Sequence, residues 1–306
     1  MTPELVIIGI LTSGIRLATP YLYAAIGETF GQRSGVLNLG VDGQMLLGAF
    51  AGFYVAFTTG SLELGLLAAI LVGAVMGLAM AFVTVNLQAE QGISGIGFYL
   101  FGLGMSELLF KMLLGTVETV KGFPSLHIPL LGDIPVLGEI FFQHNVMVYG
   151  AFLLVPVAWF VLNKTTLGLK IHSVGENPEA ADSLGVSVAR IRYFTIILGG
   201  ILSGVAGASL SIALLNVFQQ NMTSGLGFIA VALVYFGAWR PWGVLAGALL
   251  FSMVNSLQLW MQVLNIPIPT EIAIMLPYIL TIVVLVITVS RVRSPSALTK
   301  PFDRGE

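Results

Sequence analysis

From Leu62 to Asn86 the chain runs 25 residues with a single charged side chain, Glu63. A helix needs roughly 20 apolar residues to cross a bilayer core, and such a run has no place on a water-facing surface. Similar runs fill most of the 306 residues, so only 9% of the chain is charged, where soluble proteins carry about 25%. Thirteen basic and 15 acidic side chains cannot cover a water-facing exterior of this size. That excludes a soluble enzyme, a disordered chain and a nucleic-acid binder with a basic face. The sequence reads as an all-α integral membrane protein.

Nine spans are expected: Leu5–Ala25, Gly40–Phe57, Leu62–Asn86, Ile93–Leu113, Val146–Leu162, Tyr193–Leu215, Gly225–Ala238, Gly243–Leu264 and Ile272–Ser290. The seventh is short and reads as broken or re-entrant. Met1–Leu11 has no basic n-region and carries Glu4, so it does not read as a cleaved signal. Basic residues collect on the cytoplasmic side of membranes. Placing Lys164, Lys170, Arg190, Arg192 and the tail residues Arg291, Arg293, Lys300 and Arg304 inside also brings in Arg33 and Arg240. Nine spans then put the N-terminus outside and the C-terminus inside. The organisation expected is one polytopic domain over 1–290 and a cytoplasmic tail over 291–306.

Glycines recur four apart at Gly48/Gly52, Gly73/Gly77, Gly200/Gly204 and Gly243/Gly247. In lipid, close backbone approach through small residues holds helices together, so these pairs are expected at helix contacts. The stretch Gly115–Asn145 interleaves Pro124, Pro129 and Pro135 with Gly122, Gly132 and Gly138, which is the composition of a long external loop. It is either a passive connector or a docking surface for an external partner.

The longest polar stretch facing the cytoplasm is the loop 163–192. Asn177 before Pro178 suits a helix N-cap with proline at the first helical position, and Gly185 suits its end. A short helix over about Pro178–Leu184 is expected, with Glu179 and Asp182 favourable in its early turns. Ala180, Ala181 and Leu184 would form a compact exposed apolar knob. A capped surface helix and a helix shaped to enter another protein's groove read alike here.

In this loop the chain resembles the permease subunits of ATP-binding cassette (ABC) importers, in the branch for branched-chain amino acids, simple sugars and nucleosides. The resemblance rests on Gly175, Asn177, Pro178, Ala180, Ala181, Gly185 and Val186, followed by Gly199, Gly200, Gly204 and Gly207. It extends to Arg16-Leu-Ala-Thr-Pro20, to Gly35-Val-Leu-Asn38-Leu-Gly40-Val-Asp42-Gly43, and to Gly225-Leu-Gly227 with Pro241 and Gly243 downstream. The matched order covers about Arg16 to Ser290, and the Arg-Leu-Ala-Thr-Pro start is most similar to the smaller permease of purine-nucleoside importers.

The resemblance implies a type II ABC importer-like bundle in a bacterial plasma membrane, importing nucleosides such as guanosine. The loop helix would seat in a cleft of a separate ATPase through Gly175, Glu176, Asn177, Pro178, Ala180, Ala181, Leu184 and Gly185. The partners implied are that ATPase, a second, paralogous permease and an extracytoplasmic substrate-binding lipoprotein. The chain itself contains no Gly-x-x-x-x-Gly-Lys-Ser/Thr phosphate loop, so ATP and Mg²⁺ belong to the partner. A permease for simple sugars such as ribose, and an ion-coupled secondary transporter using Glu107 as its titrating acid, remain the alternatives.

Charges inside a span cost about 2.5–3.5 kcal/mol on insertion scales, so they usually face protein or water. Arg16 and Glu107 either pair or, for Arg16, meet substrate along a path. Glu28 and Asp42 flank the glycine-rich turn Gly31–Leu39, where Asn38, Asp42 and Gln44 offer hydrogen-bonding groups beside irregular backbone. Asn216, Gln219, Gln220, Asn221 and Ser224 form a second irregular polar stretch, and Phe98, Phe218 and Trp239 either stack on a base or pack. The path residues expected are therefore Arg16, Asn38, Asp42, Gln44, Phe98, Glu107, Asn216 and Phe218. His127, His144 and His172 show no metal-ligand spacing, and the chain has no cysteine. No catalytic constellation is visible.

Overall fold

In lipid, the contact faces of a helical bundle are decided by where backbones approach without side chains between them. The computed structural model of the chain describes residues 3–129, 131–264 and 293–303, together with 275–277, 279, 282, 283 and 286. The described helices are α1 (Pro3–Arg33), α2 (Val41–Thr59), α3 (Leu62–Ala81), α4 (Gln91–Leu113), α5 (Leu137–Phe141), α6 (Val146–Lys164), α7 (Thr166–Glu176), α8 (Pro178–Ser183), α9 (Val188–Ser209), α10 (Leu226–Phe236) and α11 (Pro241–Val263). One wider π turn continues α3 over Phe82–Asn86 and another continues α9 over Leu210–Leu214.

Six of these are long and apolar enough to cross a membrane: α1, α3 and α9 with their π turns, α4, α6 and α11. Helix α2, expected as a span, is 19 residues long and mostly buried. It carries Asp42 and Gln44 into the interior and is not one of the six. The seventh expected span is α10, only 11 residues and too short to cross, consistent with the broken element its sequence suggested. The ninth, Ile272–Ser290, lies largely outside the described residues. Two boundaries differ from expectation. Helix α1 continues through Pro20 to Arg33 instead of ending near Ala25, and α9 begins at Val188, where Ser187 caps it. An amphipathic helix, α7, occupies the loop where only one short helix was expected.

Helix α9 is the centre of the bundle, packed by α1, α2 and α3. The glycine pairs explain this. A Cβ on Gly48 of α2 would stand 2.5 Å from the Gly204 Cα of α9, and Gly77 of α3 faces Ile197 and Gly200 at 3.0–3.3 Å. A Cβ on Gly73 would collide with the Gly200 carbonyl. Three of the four expected pairs thus lie at contacts among α2, α3 and α9, and the fourth lies between α11 and α10. That pair, Gly243 and Gly247, closes α11 onto the preceding turn and α10 through Gly237 and Leu233.

The segment after Gly115 packs over the end of α9. Val120 N donates to Asn216 O, Phe123 N donates to Ile212 O, and isolated antiparallel bridges join Thr119 to Val217 and Ser125 to Asn145. His144, buried at its end, shares a short hydrogen bond between Nε2 and Ile140 O (2.8 Å). Burial, aided by the Arg16 charge, holds this imidazole below its usual range. The folded state therefore resists protonation, and the stability this contributes is fully present above the unfolded value of about 6.5 and lost progressively below it, down to the lower folded value. Thermal unfolding scanned from pH 7.5 down should show a falling midpoint, with a shallower fall in His144→Gln.

Candidate functional site

Two polar regions stand out at the end of the bundle that carries the loop 163–192. The first is the reversal between α1 and α2. Gly35, at φ +92°, makes a turn that a side chain would strain. The backbone amides released there are satisfied by buried side chains. Asn38 N donates to Glu28 Oε1 (3.0 Å), Leu37 N to Gln91 Oε1 (2.8 Å) and Gly40 N to Asn38 Oδ1 (2.9 Å). Gln32 bridges Glu28 and the Trp239 indole, and Asn38 Nδ2 donates to Gln44 Oε1 (3.2 Å). Asp42 receives the Thr223 hydroxyl (2.9 Å) and the Gly227 amide (2.7 Å), which ties the start of α2 to the start of α10.

Asn38, Asp42 and Gln44 are thus brought together, as their spacing suggested, but all three are buried and engaged with protein groups. Gln32, Gln91 and Thr223 complete the network. Gln91 and Thr223 are distant in sequence from the groups they bond, whereas Gln32 lies one helical turn from Glu28 and was not singled out.

The other expected path residues do not converge on one cavity. Arg16 is exposed on α1, and Glu107 pairs with Lys111 at 2.7 Å one turn along α4. The anticipated Arg16–Glu107 pair does not form, because α4 supplies Glu107 with its own partner at i+4. Glu107 is also partly exposed on the bundle surface rather than a sequestered mid-bundle acid. Phe218 is fully buried among Phe50, Phe53 and Phe110, so it packs and does not present a stacking face. Asn216 sits at φ +58° beyond the α9 π turn, with its Oδ1 buried and unpartnered beside Gly122. Phe98 lines an apolar groove of about 440 Å³ between α3 and α4, with Val75, Met76 and Phe101.

The second region is the α7–α8 loop. Thr165 caps α7 by accepting from Gly168 N (3.2 Å), and Asn177 Oδ1 accepts from Ala180 N (3.0 Å) to start α8 with Pro178 in its first turn. Gly185, at φ +82°, turns the chain toward α9. Leu184 is 85% exposed. Ala181 is buried, because α8 leans on α7 and on the start of α9, and the Val186 amide folds back onto the Ala181 carbonyl. The expected knob of Ala180, Ala181 and Leu184 is therefore corrected: Ala180 and Leu184 face out, and Ala181 is the residue that seats the helix. Gly175 also faces inward, with Arg33 O where its Cβ would be.

The described part of the tail expected over 291–306 straps this loop. Ala297 N donates to Gly175 O, Thr299 N to Gly35 O, and Ser296 Oγ to Glu176 Oε2 (3.0 Å). Among the described residues no group of three metal-ligating side chains occurs.

With this geometry in place, the comparisons with known proteins are informative. The family profile described as branched-chain amino acid transport system / permease component matches residues 10–285. A Haloferax volcanii protein provisionally named glucose ABC transporter permease protein TsgC13 is 39% identical, over 97% of this chain and 98% of its own. The Bacillus subtilis guanosine ABC transporter permease protein NupQ is 36% identical over 94% of each chain. The Lactococcus lactis nucleoside ABC transporter permease protein NupC is 35% identical over 92% of each. No solved structure gives a significant match.

Proposed function

Because this chain belongs to the branched-chain amino acid transport system permease family, we propose that it lines the translocation path of an ATP-driven nucleoside importer. The substrate class favoured is purine nucleosides such as guanosine. The chain is a multi-pass plasma-membrane permease subunit and not itself an enzyme. Support for nucleosides comes from two relatives, at 36% and 35% identity over nearly the whole chain, whose names are guanosine and nucleoside permeases. A glucose-named relative at 39% supports a sugar as the second reading.

The observation that carries the coupling role is α8 itself, a capped helix seated on Ala181 that holds Leu184 out to solvent. Its end of the bundle faces the cytoplasm in this reading, with the N-terminus outside and nine spans in all over residues 1–290, the seventh a broken span in which the irregular chain before α10 completes the crossing. Leu184 enters a cleft of a separate ATPase, which binds ATP and Mg²⁺. Asn177 and Pro178 set the helix start, while Gly175, Glu176 and Gly185 fix its approach. An extracytoplasmic binding lipoprotein delivers the substrate. A paralogous permease completes the path, which accounts for Arg16, Phe98 and Asn216 not sharing one cavity within a single chain. The second Bacillus subtilis guanosine permease, NupP, is also similar to this chain, at 25% identity over 84% of it.

Leu184→Glu tests this reading. A carboxylate on an apolar contact should leave membrane insertion and thermal stability unchanged while removing most ATP-dependent guanosine uptake by the co-expressed complex. Uptake at the wild-type rate would sink the coupling role. Excess unlabelled ribose or glucose should leave radiolabelled guanosine uptake untouched, and strong competition by either sugar would select the sugar reading.

A further inference from the structure

Where the last turns of α1 and α6 meet the first turn of α11, the fold leaves a cleft of about 810 Å³ that the transport reading does not use. Its lining holds two arginines, Arg33 and Arg240, three of the four tryptophans, Trp159, Trp239 and Trp242, and no acidic side chain. Arg33 Nε donates to the Trp239 carbonyl (2.9 Å), which fixes that guanidinium at the wall. The turn it holds runs through Ala238 and Trp239 at φ +53° and +54°, a conformation that costs energy and persists only under surrounding constraint. Arg240 is exposed, and its side chain has no hydrogen bond or ion pair to any described residue.

Glu176, the carboxylate whose charge acts on Arg33, lies outside the lining and accepts from Ser296. The cleft's His172 adds no further positive charge, since burial first and Arg33 second hold its imidazole toward the neutral form. Lys164 stands over the Trp159 ring, 5.8 Å from its centroid, and puts a third cation at the rim. The first turn of α11 also lines the cleft, and amides at a helix start have no partner within their own helix.

A concentration of fixed positive charge without carboxylates selects an anion, and forked guanidinium donors suit phosphate. The surroundings identify the source. Trp242 is 51% exposed and Trp159 36%, as expected for indoles at the level of lipid headgroups. Leading away from the cleft into the span region, Val157 and Phe160 of α6 and Leu250 of α11 form exposed apolar flanks on which acyl chains can lie.

We propose that this cleft binds the phosphate headgroup of an anionic phospholipid, with Arg240 as the free cation and Trp159 and Trp242 at the headgroup–acyl boundary. Assignment to the inner leaflet rests on the orientation proposed above, whereas the binding site itself does not.

The test is native mass spectrometry of the full-length chain in detergent, with phosphatidylglycerol and phosphatidylcholine added in equal amounts. One juxtamembrane cation changes retention of an anionic lipid by about fivefold. Wild type should therefore keep phosphatidylglycerol over phosphatidylcholine by at least about that factor. Arg240→Gln should bring the ratio close to one, and Trp242→Ala should lower retention of both lipids. Lys170→Gln, which removes a charge of the same loop end outside the cleft, should leave the ratio as in wild type. Equal retention of the two lipids by wild type, or a ratio unchanged by Arg240→Gln, overturns the proposal. In a third arm, millimolar glycerol 3-phosphate is added. If it displaces nothing, the lipid assignment stands; if it empties the cleft of phosphatidylglycerol, the ligand is a soluble phosphate and the assignment falls. Uptake is not read in this experiment, so a failure leaves the transport reading intact.

Discussion

Gly204→Val should yield almost no monodisperse protein. Gly204 lies where α9 touches two helices at once, with Gly48 of α2 on one side and Ala69 and Gly73 of α3 on the other. A Cβ there would run into the Ala69 carbonyl oxygen and stand 3.2 Å from the Gly73 Cα, and these are backbone atoms that cannot rotate away. Overpacking a core usually costs about 1–3 kcal/mol because side chains shift. Here the helices themselves must separate, so the cost belongs to the exceptional class above about 4 kcal/mol. Separation also opens a gap between surfaces that, in lipid, have only close packing to hold them. Fluorescence-detected size exclusion of a tagged chain measures the outcome. Gly104→Val is the control, because a Cβ at Gly104 meets nothing within 4 Å. Equal yields of the two variants would show that the α2–α9–α3 contact is not as close as described.

The second large effect is expected at Asp42. Its carboxylate is fully buried and receives the Thr223 hydroxyl and the Gly227 amide. It sits in the first turn of α2 and against the first turn of α10, where both helix dipoles favour negative charge. Asp42→Leu is close in volume but leaves two buried donors without an acceptor, at about 1–3 kcal/mol each. The start of α10 should detach, with a large fall in thermal midpoint and loss of uptake. Asp42→Asn retains an acceptor oxygen and should lose less than half as much. A midpoint for Asp42→Leu equal to that of wild type would mean that Gly227 and Thr223 find other partners and that the carboxylate does not fasten α10.

The capped helix of the loop was legible because its determinants are local. Asn177, Pro178 and Gly185 act on backbone within four residues of themselves, so their order alone fixes where α8 begins and ends. The glycine pairs were legible as contact sites for a similar reason, since residues four apart share a face whatever lies opposite. The Glu107–Lys111 pair was not anticipated, although its i,i+4 spacing is local; Arg16 was the partner considered for Glu107. What covers a face is not local. Ala181 and Leu184 have similar local claims to exposure, and only the docking of α8 on α7 and α9 turns one inward and the other out. Phe218 looked as available as Phe98 until Phe50, Phe53 and Phe110 closed around it.

The long apolar run that opens at Leu62, with Glu63 its one charge, therefore settled what the chain had to be. With no water in the bilayer core to satisfy backbone groups, an apolar sequence of this kind can only be helical and membrane-embedded. It also marked the polar loop as the place where something outside the membrane could attach. The tertiary structure decided which of the polar residues work together. Glu28, Gln32, Asn38, Gln44 and Gln91 form one network around the α1–α2 turn, Asp42 joins α2 to α10, and the tail straps Gly35 to Gly175. The bonds among Glu28, Gln32, Asn38 and Gln44 are local, but those to Gln91, to α10 and to the tail join residues tens to hundreds of positions apart. These long-range bonds depend on how helices stack in three dimensions, and no short-range propensity encodes that.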